Sequence, residues 1–373
     1  MDSKIKITLT KKSKIAKVNF NNLPFGQTFS DHMFSADYEN GKWRNFKIIP
    51  FGLMKLHPAN LTIHYGQSIF EGMKASKLYD GSPALFRADK NIERMNLSAV
   101  RMAMPPFPED IFMEALEKLV DLDKNWIPEK EGSSLYIRPV MFATDEFIGV
   151  RPGKKYKFLI MTGPVGAYYD TPVKLWVEEK YIRAAPGGVG EAKTAGNYAA
   201  SLLPARIAVE NGYDQIMWMD ANERKYIQEV GTMNLFFVIN GIAITPATDG
   251  SILKGVTRDA FLQVLKAKNI PCEERLISID EVVAAYHAGT LQEAFGAGTA
   301  AVVSHISEIT YRDVKMVLPS IESRKIGALL KAEITGLRNG TIKDTRGWIR
   351  PIPPYHLTNT PKRTAKKSLE PTV

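Results

Sequence analysis

Apolar residues along the chain alternate between short runs typical of strands and longer stretches typical of helices. Runs rich in β-branched and aromatic residues predict strands at 135–142, 156–162, 173–177, 215–219 and 234–239. Helices are predicted at 92–104, 109–126, 197–211, 257–268 and 322–337. Because helices and strands interleave along the chain, the predicted fold class is α/β, of the mixed α+β type.

Local signals place two helix starts and one linker. Glu109 follows Pro108, and Ser278 stands three residues before Glu281 as in a capping box, so helices are predicted to begin at both places. A chain of 373 residues fits one large or two medium domains, and the segment 163–172 is dense in glycine and proline. The predicted organisation begins with a basic N-terminal extension (1–20) and a small α/β domain (21–162). A linker (163–172) leads to a large cofactor-binding domain (173–349) and a mobile basic tail (350–373).

The net charge of +9 is concentrated at the two ends of the chain. Residues 1–20 hold six lysines and one aspartate, residues 350–373 hold five basic residues and one glutamate, and the body between them is neutral. A neutral body argues against a nucleic-acid binding face across the fold. The simpler interpretation is a pair of solvated basic ends.

Hydrophobic runs and cysteine content indicate the compartment. The longest apolar runs, such as 158–161, fall well short of the roughly 20 residues that cross a bilayer, so no membrane association is expected. Residues 1–20 lack a continuous apolar core and any arginine, which argues against a secretory signal and a matrix-targeting peptide. Cys272 is the only cysteine, so no intramolecular disulfide can form and the reducing cytoplasm is the expected location.

A lysine, a tyrosine and a glutamate stand near glycine-rich turns in the second half of the chain. Lys193 lies in the glycine-rich segment 186–198, Tyr198 follows five residues later, and Glu229 opens a second turn, Glu-Val-Gly-Thr-Met-Asn. A free lysine amine is a poor nucleophile at neutral pH, whereas an imine with an aldehyde cofactor lets the cofactor carry the difficult chemistry. We therefore expect an imine between Lys193 and pyridoxal phosphate, with Glu229 at the pyridine nitrogen and Tyr198 at the phenolic oxygen.

The same cofactor also needs a phosphate site. Residues 255–258, Gly-Val-Thr-Arg, precede a predicted helix whose first amides and Thr257 hydroxyl suit a phosphate, and the turn 296–300 offers further amides for an anion. Each feature also has a simpler interpretation. Taken alone, Lys193 is more often a solvated side chain, Glu229 an ordinary ion-pair partner and Thr257 a helix cap.

A P-loop is the competing interpretation of the same lysine. Residues 187–194 match that motif except that Ala192 replaces the second required glycine, and the strand-like run 216–220 ends in an aspartate suited to magnesium. The missing glycine removes backbone freedom where such a loop must wrap a phosphate. An NTPase is therefore the weaker hypothesis.

Six motifs, in order, resemble the branched-chain amino-acid aminotransferases, fold-type-IV enzymes that depend on pyridoxal phosphate. The motifs are FGQTFSDHM at 25–33, HYGQSIFEGM at 64–73, SLYIRP at 134–139, EVGTMNL at 229–235, GVTR at 255–258 and FGAGTA at 295–300. The resemblance implies two domains with the cofactor between them, held by the larger one. It also implies ping-pong transamination of L-leucine, L-isoleucine or L-valine with 2-oxoglutarate, in a homodimer.

The resemblance assigns the cofactor contacts residue by residue. Lys193 would form the imine and transfer the proton, Glu229 would pair with the pyridine nitrogen and Tyr198 with the phenolic oxygen. Arg94, which otherwise reads as an exposed helix charge, matches the phosphate-binding arginine of the family. The remaining cofactor residues would be Leu253, Val256, Thr257 and Thr299. No metal is expected.

The substrate contacts follow from the same resemblance. The side-chain pocket would be lined by the aromatic residues Phe25, Tyr65, Phe70, Tyr136 and Tyr168. The amides of Thr299 and Ala300, with the Tyr65 hydroxyl, would hold the α-carboxylate. Arg138 would receive the distal carboxylate of glutamate.

Two departures from the family pattern change the expectations. Ala301 and Ser304 stand where the animal enzymes carry a redox-active Cys-x-x-Cys, so no thiol switch is expected there. The segment after Tyr168 is a few residues shorter than in those enzymes. A D-amino-acid aminotransferase or aminodeoxychorismate lyase, which share the fold and the lysine, and a catalytically silent binding protein remain alternatives.

Overall fold

The structure, a computed structural model, describes residues 4–166 and 171–355. The helices in these ranges are α1 (Leu61–Tyr65), α2 (Ala88–Arg101), α3 (Glu109–Leu122), α4 (Ala195–Ala200), α5 (Leu202–Glu210), α6 (Val256–Ala267), α7 (Ile279–His287) and α8 (Ile326–Asn339). Short 3-10 helices lie at Ile15–Lys17, Lys124–Trp126 and Ile321–Ser323. In the part of the chain so described, no helix has the length and apolar character needed to cross a membrane.

The described strands form two sheets of nine strands each. The strands are β1 (Lys6–Ile7), β2 (His32–Glu39), β3 (Lys42–Pro50), β4 (Ser68–Phe70), β5 (Met73–Lys77), β6 (Pro83–Phe86), β7 (Ser134–Ala143), β8 (Tyr156–Val165), β9 (Val173–Glu178), β10 (Gln215–Met219), β11 (Ile227–Val230), β12 (Met233–Ile239), β13 (Ile242–Pro246), β14 (Cys272–Arg275), β15 (Leu291–Gly298), β16 (Val302–Tyr311), β17 (Val314–Val317) and β18 (Ile349–Pro351).

The first sheet has the strand order β1-β3-β2-β8-β7-β5-β6-β18, with β4 also paired to β7. Apolar residues of α2 and α3, including Met95 and Phe112, share a core with Phe34 of β2 and Phe158 of β8. All four side chains are fully excluded from solvent. The apolar stripes of both helices therefore cover one face of this sheet.

The second sheet has the order β11-β10-β9-β16-β15-β12-β13-β14, with β17 on β16. Its strand β12 is buried along its whole length, because alternate residues point into different cores. Phe236 packs with α6 and α8, whereas Phe237 belongs to the core that includes α7. Helices thus cover both faces of the sheet, which explains the unbroken apolar run of this strand.

The predicted strands correspond to β7, β8, β9, β10 and β12, and the mixed α+β class is confirmed. The capping box is also confirmed, since the Ser278 hydroxyl accepts the Glu281 amide at 3.1 Å. Several helix bounds differ from the prediction. The helix predicted at 197–211 is divided at Ser201 into α4 and α5, and the one predicted at 109–126 ends at Leu122.

The ends of the described chain are packed on the first sheet. Ile5 is buried and β1 pairs with β3, so residues 4–7 are not a free arm. At the other end β18 pairs with β6, and the Tyr355 amide donates to the Asp121 carboxylate at 2.9 Å. Strand β8 continues to Val165, into the predicted linker. The domain boundaries themselves stay a prediction, and residues 356–373 of the predicted tail lie outside the described residues.

Asp31 anchors the N-terminal segment to the first sheet. Its carboxylate accepts hydrogen bonds from the Ser13 hydroxyl, the Lys14 amide and the Trp126 indole at 2.5, 2.9 and 3.1 Å. Burial alone would raise the pKa of Asp31, but these donors hold it below its ordinary value. The ionised form of Asp31 therefore contributes to the stability of the fold.

We expect Asp31→Asn to lower the free energy of unfolding at neutral pH by about 2 kcal/mol, because charge-assisted hydrogen bonds are lost. Since the folded-state pKa is the lower one, the contribution is complete above the unfolded value of about 3.9 and disappears as the pH falls through the folded value. Urea unfolding from neutral pH down to about pH 3 should show the two proteins converging. The exposed Asp313→Asn is the control, and a difference independent of pH would contradict this account.

Candidate active site

The backbone of Lys193 is held against elements of the first sheet. Its amide donates to the Ser98 hydroxyl on α2 at 3.0 Å, and its carbonyl accepts the Phe70 amide of β4 at 3.0 Å. The next residue, Thr194, donates its hydroxyl to the Ser68 carbonyl at 2.7 Å. The lysine is thereby fixed just before α4, where α4 meets β4 and α2.

The side chain of Lys193 reaches the predicted tyrosine. Its Nζ donates to the Tyr198 hydroxyl at 2.8 Å and lies 5.0 Å from the centre of the Phe70 ring. Tyr198 is on α4, so the five-residue spacing brings its hydroxyl to the lysine. The rings of Phe70 and Tyr198 are 4.8 Å apart, which holds both beside the amine.

Glu229 lies on β11 and is 4% exposed. One carboxylate oxygen accepts the Asn234 side-chain amide at 2.9 Å and the Leu253 backbone amide at 3.3 Å, and the other forms an ion pair with Arg183 at 2.8 Å. Burial raises the pKa of Glu229, and the Arg183 guanidinium opposes that shift. The hairpin of β11 and β12 therefore presents a buried carboxylate with a cation at its back.

The start of α6 is open to an anion. Gly255 is the N-cap residue and supplies no side chain to the first amides, while Thr257 lies inside the first turn. The simpler interpretation of Thr257 as the helix cap is therefore wrong. A Cβ at Gly255 would lie 1.9 Å from Asn234 Oδ1, so only glycine allows this close approach.

Arg94 of α2 is turned inward and is 8% exposed. Its Nε and Nη2 donate to the two oxygens of Glu71 at 2.7 and 2.8 Å, and its Nη1 donates to the Lys254 carbonyl at 3.1 Å. Glu71 is fully buried and also accepts from Asn91 at 2.8 Å. Burial alone would raise the pKa of Glu71, but Arg94 holds it below its usual range. The pair fixes the guanidinium beside the approach to α6.

The predicted cofactor residues surround one cavity of about 50 Å³. Its lining includes Arg94, Lys193, Glu229, Leu253, Val256, Thr257 and Thr299. Tyr198 joins this group through its hydrogen bond to Lys193. A neighbouring cavity of about 150 Å³ shares Lys193 and Thr299 and is also lined by Phe25, Phe70, Tyr136, Arg138, Tyr198 and Ala300.

Of the predicted substrate residues, Tyr65 does not line these cavities. Tyr65 ends α1 with 45% of its surface exposed, and it is not among the described residues that line either cavity. Tyr168 lies outside the described residues. The structure therefore does not bring Tyr65 to the pocket of its own chain.

Arg138 is a cation within the aromatic wall of the larger cavity. Its Nη2 donates to the Tyr136 hydroxyl at 2.8 Å, and its guanidinium lies 4.5 Å from the centre of the Phe70 ring. Its Nε is buried without a hydrogen-bond partner, and no carboxylate of the described residues forms an ion pair with it. The guanidinium is therefore available to an anionic ligand.

Asp220, the aspartate that would bind magnesium under the P-loop hypothesis, is already hydrogen-bonded within its own turn. The Asp220 carboxylate accepts hydrogen bonds from the amides of four residues in the turn that follows it, 222, 223, 225 and 226. Across the chain as described, no group of three or more His, Cys, Asp or Glu side chains is arranged to hold a metal ion. The geometry around Lys193 favours imine chemistry over nucleotide hydrolysis.

Comparison with known proteins decides the family. Residues 68–309 match the model of the amino-transferase class IV family. A probable branched-chain-amino-acid aminotransferase of Staphylococcus aureus is 47% identical over 360 residues, which cover 95% of this chain and all of that protein. Branched-chain-amino-acid transaminase 1 of Bacillus subtilis is 48% identical, with 87% of this chain and 93% of that protein covered. The chain belongs to the branched-chain amino-acid aminotransferases.

Solved structures of branched-chain aminotransferases share the fold. The Escherichia coli enzyme superposes with a TM-score of 0.70 at 26% identity, covering 86% of this chain and 99% of that one. The T.th. enzyme with pyridoxamine 5'-phosphate gives a TM-score of 0.70 at 26% identity, covering 85% of this chain and 98% of that one. The predicted fold-type-IV architecture is confirmed.

Several residues around the site of this branched-chain aminotransferase were missed by motif reading. Glu71 lies within a recognised motif, yet its pairing with Arg94 joins residues 23 positions apart. Arg183 stands ten residues before Lys193 and has no local signal. Lys74 donates to the Ala300 carbonyl at 2.6 Å across a separation of 226 residues. The only sequence signal that could have pointed to Glu71 as a site residue was its place in the motif at 64–73.

We expect Glu71→Gln to lower the free energy of unfolding by about 3 kcal/mol, because it leaves the Arg94 guanidinium buried without its counter-charge. Chemical denaturation at neutral pH measures this loss. Glu93→Gln, on the exposed side of the same helix, is the matched control because it breaks only the surface pair with Lys90. Equal and small effects of the two substitutions would show that the Glu71 pair does not stabilise the site.

Proposed function

We propose that this branched-chain aminotransferase binds pyridoxal phosphate in the smaller cavity, with Lys193 as its covalent anchor. The supporting observation is the placement of Lys193, Glu229, Arg94 and the open start of α6 around one cavity. The donor set fits the group, since an anion-binding helix start, a guanidinium, a buried carboxylate and a primary amine match its phosphate, ring nitrogen and aldehyde. Gly255 has no Cβ, so the Asn234 side chain can lie against the start of α6 without a clash.

Bound pyridoxal phosphate supplies an aldehyde for imine formation and a ring that accepts electrons from the substrate. The Lys193 amine would hold the cofactor covalently and would move the proton to and from the substrate Cα. Glu229 would pair with the ring nitrogen, and Arg183 favours the ionised Glu229 carboxylate against its burial. The Tyr198 hydroxyl would donate to the phenolic oxygen.

The remaining cofactor residues hold the phosphate and the ring. Arg94 and the first turn of α6, with Val256 and Thr257, would bind the phosphate together with Thr299. Leu253 lies in the lining of the same cavity and would pack against the ring. No residue in this set needs a metal ion for these contacts.

The larger cavity is proposed as the substrate site. Its aromatic residues Phe25, Phe70 and Tyr136 suit the side chains of leucine, isoleucine and valine. The amides of Thr299 and Ala300 would hold the α-carboxylate. Tyr168 is proposed as a further pocket residue because it matches a pocket position of the family.

We propose 2-oxoglutarate as the amino acceptor in a ping-pong reaction that yields L-glutamate. Arg138 supports this assignment because its guanidinium faces the cavity without an anionic partner among the described residues. The distal carboxylate of the substrate would meet this group, whereas an aliphatic chain would meet the aromatic rings beside it. The two half-reactions would therefore use the same pocket.

A homodimer is proposed as the functional unit. Ile63 and Tyr65 are exposed on α1, and Ile148 and Val150 are exposed nearby at 61% and 90%. The two segments are joined by a backbone hydrogen bond from the Phe147 amide to the Ala59 carbonyl at 2.8 Å. A second subunit would cover this apolar surface, and Tyr65 would reach the α-carboxylate in that subunit's pocket. The reducing cytoplasm remains the expected location.

The absorbance spectrum of the protein incubated with pyridoxal phosphate tests the cofactor and the lysine together. We expect a lysine imine band at about 410 nm that L-leucine converts to a shorter-wavelength form. Lys193→Ala should lose this band and turnover while remaining folded, because no amine is left at that position. The exposed Lys180→Ala is the control and should behave as the wild type.

The same experiment tests the choice of substrate independently of cofactor binding. A band that responds to D-leucine but not to L-leucine would replace the proposal with a D-amino-acid aminotransferase. Near-native turnover by Lys193→Ala would remove the lysine from the mechanism. An absent band in the wild type would leave the cofactor assignment without support.

The dimer proposal predicts that Ile148→Asp dissociates the protein, because a charge in a buried apolar contact is strongly disfavoured. Light scattering after size exclusion should report a monomer, with a raised KM for L-leucine if Tyr65 acts across the interface. Val317→Asp, which changes an apolar residue of β17 that is 56% exposed, is the matched control. A dimer with unchanged KM would argue against this surface as the interface.

A further inference from the structure

The turn at 299–301, between β15 and β16, is tied to the first sheet at two points. The Thr299 hydroxyl donates to the Gly72 carbonyl at 3.1 Å. The Lys74 ammonium donates to the Ala300 carbonyl at 2.6 Å. Both contacts come from residues 72–74, at the start of β5, so one short stretch of the first sheet holds a turn of the second.

The conformation of this turn depends on contacts outside it. Val302, which follows the turn directly, has a φ of +50° although it is β-branched. Such a residue strongly disfavours the left-handed region and stays there only when its surroundings hold it. Val302 is 9% exposed, and the two tethers hold the residues just before it.

Lys74 is an unusual residue for a position of pure packing. It is 7% exposed, and none of the described carboxylates forms an ion pair with it. Burial lowers the pKa of Lys74 to about 7, and the neighbouring Arg338 guanidinium adds to the shift. A buried amine without a counter-ion is unfavourable, and an apolar side chain of similar length would fill the same space. Compared with an apolar side chain, a lysine at this position adds the hydrogen bond to the Ala300 carbonyl.

We propose that Lys74 is a positioning residue that sets the Thr299 and Ala300 amides for the substrate α-carboxylate. The inference rests on the proposed role of that turn in substrate binding. Lys74 does not contact the substrate. It acts by holding the Ala300 carbonyl toward β5, which fixes the orientation of the adjoining peptide groups, while Thr299 is held at Gly72.

Two ligands, each of which lacks one polar group of leucine, distinguish a positioning role of Lys74 from a general effect on protein stability. 4-Methylvalerate has the side chain and carboxylate without the amine, and 3-methylbutylamine has the side chain and amine without the carboxylate. Titrating the pyridoxal phosphate form of the enzyme with each ligand and following the absorbance band gives two dissociation constants. Only the first ligand needs the amides of the turn.

We expect Lys74→Met to raise the dissociation constant of 4-methylvalerate by about ten-fold, because a hydrogen bond that orients the turn is lost. The dissociation constant of 3-methylbutylamine should stay within about two-fold, since this ligand has no carboxylate. Lys74→Arg, which keeps a charged donor, should recover most of the affinity. Lys77→Met is the matched control, because Lys77 lies on the same strand and pairs with Glu129 at the surface.

Equal losses for both ligands, or no loss for 4-methylvalerate, would overturn the positioning role. If Lys74→Met does not fold, Lys74→Gln, which retains a shorter donor, must show a selective loss for the carboxylate ligand or the proposal fails. A wild-type enzyme that ignores L-leucine would remove the proposed function and this inference together. A responsive wild type with an unaffected Lys74→Met would remove this inference alone.

Discussion

The active site depends on gathering five charged side chains of both signs, of which Glu71, Arg94 and Glu229 are buried, and this is tolerable because each carboxylate is paired with an arginine. Glu71 binds Arg94 at 2.7 Å, and Glu229 binds Arg183 at 2.8 Å. The charge of Lys193 acts on both carboxylates and favours the ionised form of each. Any one of these groups alone would carry a large desolvation cost, whereas the set of mixed sign offsets most of it. The amine is thus placed between two acids, each of which is itself paired with an arginine.

The site exists only where the two sheets meet. The first sheet contributes β4, α2 and the stretch 72–74, and the second contributes the β11–β12 hairpin, the start of α6 and the turn 299–301. The Phe70 amide bonds to the Lys193 carbonyl, and the Thr299 hydroxyl bonds to the Gly72 carbonyl. Because the reacting groups come from both sheets, a relative shift of the sheets would separate them. These hydrogen bonds therefore connect the stability of the fold to the geometry of the site.

The sequence could predict those parts of the site whose chemistry is local. Lys193 and Glu229 stand in glycine-rich turns, and Thr257 stands at a helix start, so short motifs are enough to find them. Arg94 was found only through family resemblance, because a charged residue on an amphipathic helix normally faces water, and here it is 8% exposed. Residues that act through distant partners have no such local sign.

The same limit applies to the fold. The core strands were located because burial on both faces leaves a continuous apolar run, as in β12. The division of the predicted helix 197–211 at Ser201 was missed, because an interruption of one residue does not disturb the apolar periodicity enough to be seen. The packing of residues 4–7 on β3 was missed for a different reason. A two-residue strand among lysines is set by its partner strand, not by its own composition.

Arg138 shows how one pocket can serve two kinds of side chain. A buried arginine is usually neutralised by a carboxylate, and such a partner would compete with a substrate carboxylate for the guanidinium. Here the guanidinium instead rests against the faces of Phe70 and Tyr136 and donates to the Tyr136 hydroxyl. Aromatic faces stabilise the cation moderately, by less than a charge-assisted bond to a carboxylate. An aliphatic chain can therefore occupy the pocket without disturbing that arrangement, while the distal carboxylate of glutamate gains the stronger interaction when it arrives.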